Sequence, residues 1–218
     1  MTSSIEVFQD LNVRGPIKHR TALRDQLILS TTHPWRVDLE RSKEFARNST
    51  SEAEVLAFHR EQADGLPAAS LSLWGTADGY YVPNIVPAES RKLNYEQYNA
   101  ILNDFREKVL QPVARRFDFV AETTSDRQEV VAGLSPDAAM KLRAFCDNAN
   151  KSTGAGHPMD QRRWFDFLIA VHRSGKTIGR DLLERWLHEV ERWDEESAHE
   201  LAGNYETSLA LLQHSKAS

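Results

Sequence analysis

Between Ala170 and Thr177 the chain reads Ala-Val-His-Arg-Ser-Gly-Lys-Thr, closing on a Gly175-Lys176-Thr177 triplet. A triplet of this kind ends a phosphate-binding loop. There, backbone N–H groups cradle phosphates, the lysine reaches the outer phosphates and the hydroxyl meets magnesium. The chemistry needs a strand before the loop, here residues 165–171, and a helix after it, here from Ile178. Against it, Val171, His172 and Arg173 are bulky where the cradle needs small residues. The residues after Thr177 also read as helix, with no further strand to carry a magnesium-binding aspartate. A helix ended by Gly175 and followed by a turn is the favoured reading, and no cofactor is expected.

The same stretch has the layout of a helix-turn-helix, in which Lys176, Arg180 and Arg185 would meet phosphates or bases. Asp181, Glu184, Glu189 and Glu191 share that helix and would be repelled by nucleic acid. The net charge of the chain is −5, so the basic footprint of a nucleic-acid binder is absent. Three further residues are candidates for acid–base work: His157, Asp160 three positions on, and His172. A concave pocket joining them, with Arg162, would mark an enzyme whose site is assembled from distant residues. His157-Pro158 precedes a helix, so capping also accounts for His157.

No metal site is expected. Glu196-Ser-Ala-His199 has the Glu-x-x-His spacing of di-iron bundles, but those need two copies and two more glutamates. The eight histidines form no His-x-x-x-His pair and no HExxH. The single cysteine, Cys146, rules out an internal disulfide and lies among apolar helical positions, which predicts a buried, inert thiol. No Gly-x-Ser-x-Gly elbow is present. Trp74, Tyr80, Tyr81 and Tyr95 crowd one region, and core packing is favoured over binding for them. Strand alternation requires that if one of Tyr80 and Tyr81 faces in, the other faces out.

The elements that must position these residues predict an α+β fold, mainly α-helical. A small β-hairpin or short sheet lies in the N-terminal half and a three-helix subdomain at the C-terminus. Residues 5–8 read as a short strand, and 20–29 as either helix or strand. Pro34 opens a helix over 35–47. Ser51 caps another over 51–64, with Glu54 three residues on and Val55, Leu56 and Phe58 as its stripe. Residues 69–74 alternate as a half-buried strand, and Asp78-Gly79 turns the chain into Tyr80-Tyr81-Val82. Pro83 and Pro87 predict that this second strand of the hairpin, near 69–86, is an edge or ends early. Residues 117–123 add another strand.

The long helix over 94–115 is the best-signalled element. Asn94 caps it, Gln97 completes a capping box, and residues 98, 101, 102, 105, 109 and 113 form one face. Pro112 should kink or end it. Ser135-Pro136 starts a helix with Met140, Leu142 and Phe145 inside. Three more helices follow, joined by short connections. The Gly/Ser/Asn-rich stretch 148–156 is the expected boundary between a mixed region, 1–150, and a helical subdomain, 156–214.

The chain has 218 residues, 40% of them apolar and 27% charged, which suits a globular protein. No signal peptide or membrane span is apparent, and cysteine usage points to a cytoplasmic protein. No closed catalytic set emerges. The leading expectation is therefore a protein-binding accessory or regulatory protein of antitoxin, immunity or complex-subunit type, with another protein as partner. The alternatives are the enzyme with a dispersed site and a nucleic-acid binder through the C-terminal hairpin.

Overall fold

A computed structural model describes residues 4–48, 54–89 and 92–217. The strands are β1 (Ser4–Glu6), β2 (Leu11–Arg14), β3 (Trp35–Asp38), β4 (Val55–Arg60), β5 (Ala69–Gly75), β6 (Gly79–Val82), β7 (Ile85–Pro87), β8 (Val120–Thr123) and β9 (Arg127–Glu129). The helices are α1 (Arg20–Ser30), α2 (Leu39–Asn48), α3 (Tyr95–Phe105), α4 (Gln111–Ala114), α5 (Pro136–Asn148), α6 (Pro158–Ser174), α7 (Arg180–Glu189) and α8 (Glu195–Ala217). The fold is mixed α+β. It divides into two compact units, a sheet unit of Val7–Asp126 and a helical unit of Met1–Glu6 with Arg127–Ser218.

The sheet unit is built on a seven-stranded antiparallel sheet in the order β3-β4-β5-β6-β2-β8, with β7 also paired to β5. This is larger than the hairpin expected. The β5–β6 pairing matches Trp74 with Tyr81, whereas the β5–β7 pairing matches Ser70 with Val86. One extra residue therefore sits between Val82 and Ile85, a bulge that holds Pro83 where no ladder hydrogen bond is needed. Pro83 ends β6 early, as its ring requires. Yet β6 lies between β5 and β2 and is not an edge.

One face of the sheet buries Leu11, Val13, Phe58, Leu71, Leu73 and Tyr80 against α1 and α3. The helix start is as expected. Asn94 Oδ1 accepts from Gln97 N at 2.8 Å, and Gln97 Oε1 accepts from Asn94 N at 3.3 Å. Tyr98, Ile101, Leu102, Phe105, Val109 and Val113 are all buried. Pro112 does not end the helix at once. A π-helical turn, Arg106–Leu110, connects α3 to α4, and Gln111 N donates to Arg106 O across it. The wider turn makes room for a ring that would otherwise meet the carbonyl four residues back.

Of the two helices expected near the N-terminus, the one over 35–47 forms only from Leu39, and the one over 51–64 gives way to a strand. Residues 35–38 form a strand before the helix of α2 begins at Leu39. Residues 55–60 are a strand, and the cap expected at Ser51 lies outside the described residues. Val55, Leu56, Ala57 and Phe58 are buried in succession, because α1 and α3 line one face of the sheet while α2 packs over the other at this point. A strand buried on both faces loses its alternation and resembles a helical stripe.

An ion network ties the sheet to the helix. Arg60 is fully buried, and its Nε donates to Asp104 Oδ2 at 3.1 Å. Its remaining N–H groups reach the carbonyls of Glu61, Ala63 and Leu66 at 3.0–3.2 Å. Asp104 also accepts from Trp35 Nε1 at 2.8 Å and pairs with Lys108 at 2.7 Å. Burial alone would raise the Asp104 carboxyl. Hydrogen bonds from Lys108, Trp35 and Arg60 outweigh it and hold the group below its usual range.

In the helical unit, β1 pairs with β9, and α5, α6 and α8 together with Trp193 build an aromatic core. Phe145 stacks on Trp193 at 5.4 Å and meets Trp164 at 4.9 Å, while Phe167 stacks on Tyr205 at 5.8 Å. Ser135 caps α5 as expected, but Met140 is exposed and the buried stripe is Ala138, Leu142, Phe145 and Cys146. The stretch 148–156, expected as a boundary, joins α5 to α6, which pack on each other within this unit.

Asp104→Asn should cost about 3–5 kcal/mol in urea denaturation, because it leaves the Arg60 charge buried and uncompensated. Replacing both partners, as Arg60→Met with Asp104→Leu, should recover much of that loss. A carboxyl whose folded pKa is depressed stabilises the fold above its unfolded pKa and stops doing so as pH falls through the folded value. The wild type should therefore lose stability in acid over that interval, and the Asp104→Asn variant should lack this part of the slope.

Candidate functional site

The helical hairpin places the sequence-predicted residues as follows. Residues 158–174 are one helix, so the strand that a phosphate loop requires is absent. Gly175 caps that helix in the left-handed conformation at φ 68°, and Lys176 N donates to Ser174 Oγ. Gly175, Lys176 and Thr177 are exposed turn residues, and Tyr205 Oη accepts from Ile178 N to fix the turn.

The basic residues of the hairpin are engaged by the protein itself. Arg180 meets Glu206 at 3.4 Å and His199 at 3.3 Å. Arg185 binds Glu189 at 2.9 Å and the Glu6 carbonyl at 2.7 Å. Of the three, Lys176 alone has no ion pair among the described residues. His199 also faces Glu184 at 3.1 Å, and no group of three acidic, histidine or cysteine side chains suited to a metal occurs among the described residues.

His157 caps α6, accepting from Met159 N at 3.2 Å. Asp160 is buried and accepts from Arg163 at 2.7 Å and from Asn150 N at 3.1 Å. Asp160 thus holds the 148–156 turn to α6, and its contact with His157 is through the backbone, Asp160 N donating to His157 O at 2.9 Å, rather than between the carboxylate and the imidazole. His172 lies near the other end of α6 and joins neither. Cys146 is buried, which pushes its thiol far above the usual range, as an inert thiol requires.

The sheet unit brings together a different set. On its second face, among the described residues, α2 packs over β4 and reaches Trp74 of β5 through Phe45. Strand register arranges the rest in rows. Arg36, His59, Ser70 and Val86 face one another across β3, β4, β5 and β7. Val55, Trp74, Tyr81, Asn12 and Glu122 form a second row across β4, β5, β6, β2 and β8. Tyr80 is buried while Tyr81 is exposed, as alternation demands. Trp74 is half-buried, 6.4 Å from the Phe45 ring of α2, and its Nε1 donates to Ser72 Oγ at 2.8 Å. Arg41 lies over the Phe45 ring at 5.4 Å. A cleft of about 80 Å³ opens here, bordered by Arg41, Phe45, Ser70, Ser72, Asn84 and Val86.

His59 Nδ1 sits 3.2 Å from Ser70 Oγ. A serine–histidine contact begins a nucleophile pair, but catalysis also needs a group orienting the imidazole. Among the described residues, Nε2 of His59 has no such partner. Burial lowers the His59 pKa, and the nearby Arg36 charge lowers it further. Sequence reasoning passed over His59 and Ser70 because their strands were not both read as strands. The alternation Ser70, Ser72, Trp74 was the usable signal for this face.

Comparison with protein families, with curated proteins and with solved structures returned no match to this chain.

His59 should titrate below 6.5 when followed by NMR, and Arg36→Gln should raise the value without restoring it fully, since burial is the larger cause. A histidine with a lowered folded pKa is destabilising once protonated. Stability carried by neutral His59 should be complete above 6.5 and fall as pH drops through that value toward the folded pKa. His59→Gln should flatten this part of the stability profile.

Proposed function

We propose that this chain is a protein-binding accessory protein and that the uncovered sheet face takes its partner. The carrying observation is the row of Trp74 and Tyr81 beside Phe45 and Val86, aromatic and apolar groups left half or fully exposed on an ordered sheet. Large aromatic groups on a rigid surface bind at little entropic cost, because few torsions are frozen. The cleft between α2 and β7 suits one apolar side chain of a partner. Arg41 borders it without an ion pair among the described residues, which favours a partner whose anchor is bordered by carboxylates. The hydroxyls of Ser70 and Ser72 add hydrogen bonding without charge.

The test is affinity capture of the tagged chain from its own cells, comparing the wild type with a Trp74→Ala, Tyr81→Asp double variant and a Met140→Ser control. Met140 is exposed in the helical unit and outside this face. A stoichiometric protein should accompany the wild type and the control and fall at least about tenfold in the double variant, the equivalent of 1.4 kcal/mol. Unchanged circular dichroism would show that the variant is folded. A wild type that carries nothing, that carries nucleic acid alone, or whose partner survives the double variant overturns the proposal.

A further inference from the structure

Away from the sheet unit, the helical unit contains a cavity of about 300 Å³ between α6, α8 and the 154–156 turn. Its lining converges from two helices at one-turn spacing. Gln161 and Phe165 lie four residues apart on α6, and Glu200 and Asn204 four apart on α8, so each pair shares a helix face. Trp164 contributes a third wall and is almost wholly buried, its ring held by Phe145 at 4.9 Å and Phe167 at 5.2 Å. The turn closes the end through Ala155, a buried alanine held at φ 58° beside Gly154 at φ 59°. A left-handed alanine is strained, and its N–H donates to Asn150 O at 3.3 Å.

The polar groups are set with defined roles. Trp164 Nε1 donates to Asn204 Oδ1 at 2.7 Å. That bond occupies the carboxamide oxygen and leaves the Asn204 NH2 group as the free donor. Glu200 is the one charged side chain in the lining, and it has no ion pair or hydrogen bond among the described residues. Phe165 is 52% exposed, so its ring is open to a ligand. The cavity therefore offers an uncommitted carboxylate, an open aromatic ring, a rigid indole wall and a pair of neutral donors.

We propose that this cavity is a binding site for a small organic cation, a primary ammonium on a flat apolar body. The ammonium binds the Glu200 carboxylate, where a charge-assisted hydrogen bond is stronger than a neutral one. The apolar body packs on Phe165 and Trp164, whose ring faces also attract positive charge. An anion is disfavoured because Glu200 is the only charge it would meet. A purely apolar ligand leaves that carboxylate without a partner as it loses water.

The probe is 2-phenylethylammonium, with 2-phenylethanol as its neutral counterpart, followed by ¹⁵N-edited NMR on the full chain. The Trp164 indole N–H, assigned through Trp164→Phe, and the Asn204 carboxamide should shift saturably with the ammonium. The alcohol should bind at least about tenfold more weakly, a difference of 1.4 kcal/mol. Glu200→Gln should remove most of the preference for the ammonium while leaving the alcohol unaffected. Phe165→Ala should weaken both ligands. Glu200 and Phe165 are exposed, so these variants should keep the remaining spectrum. No saturable shift with the ammonium, equal binding of ammonium and alcohol to the wild type, or full ammonium affinity in Glu200→Gln overturns the proposal. The comparison of the two ligands on the wild type stands whether or not any variant folds.

Discussion

A guanidinium with no access to water must find a partner for every N–H it carries, and Arg60 imposes that condition on the sheet unit. Its carboxylate, Asp104, comes from α3, and its carbonyl partners come from the segment directly after β4. Asp104 in turn fixes Trp35 at the start of β3. One ion pair thus connects an edge strand, its neighbour, the following loop and the central helix. The alternative, a charge buried without compensation, costs far more than the pair contributes. The network narrows the choice of packing more than it adds stability, since an apolar replacement of both partners would be tolerated.

Placing Arg60 and Asp104 under the sheet commits α1 and α3 to that face. Among the described residues, the opposite face then has α2, over β4 and the edge of β5. Beyond it the sheet meets water with Ser70, Trp74, Tyr81 and Asn12, side chains that are amphipathic or hydroxylic. The edge strands are protected by charge, through Arg36 and Asp38 on β3 and Glu122 on β8, which discourages pairing with another chain edge to edge. Charge at the edges and aromatics at the centre direct association to the face.

What was legible in the sequence was local. The Asn94–Gln97 capping box, the Ser135 cap and the Gly175 stop each depend on residues within four positions of one another, and each forms. Alternation over 69–74 and the Asp78-Gly79 turn were legible for the same reason. The strand at 55–60 was not, because α2 buries its outer face and erases the period of two. The Arg60–Asp104 pair spans 44 residues, and nothing in the spacing announces it.

The Gly175-Lys176-Thr177 motif shows the same limit from the other side. Three residues match a phosphate loop, yet the segment before them is helix, and the backbone amide of Lys176 is taken by Ser174. A phosphate cradle requires free amides converging on one point, and a capped helix end with its own partners has none to offer. Arg180 and Arg185 follow suit, their charges absorbed by Glu206 and Glu189. Glu200 and Gln161, which line the cavity of this unit, match no motif. Their only signature is a shared helix face four residues from Asn204 and Phe165. Chemistry left unpaired by the fold is a better guide to this unit than chemistry named by a pattern.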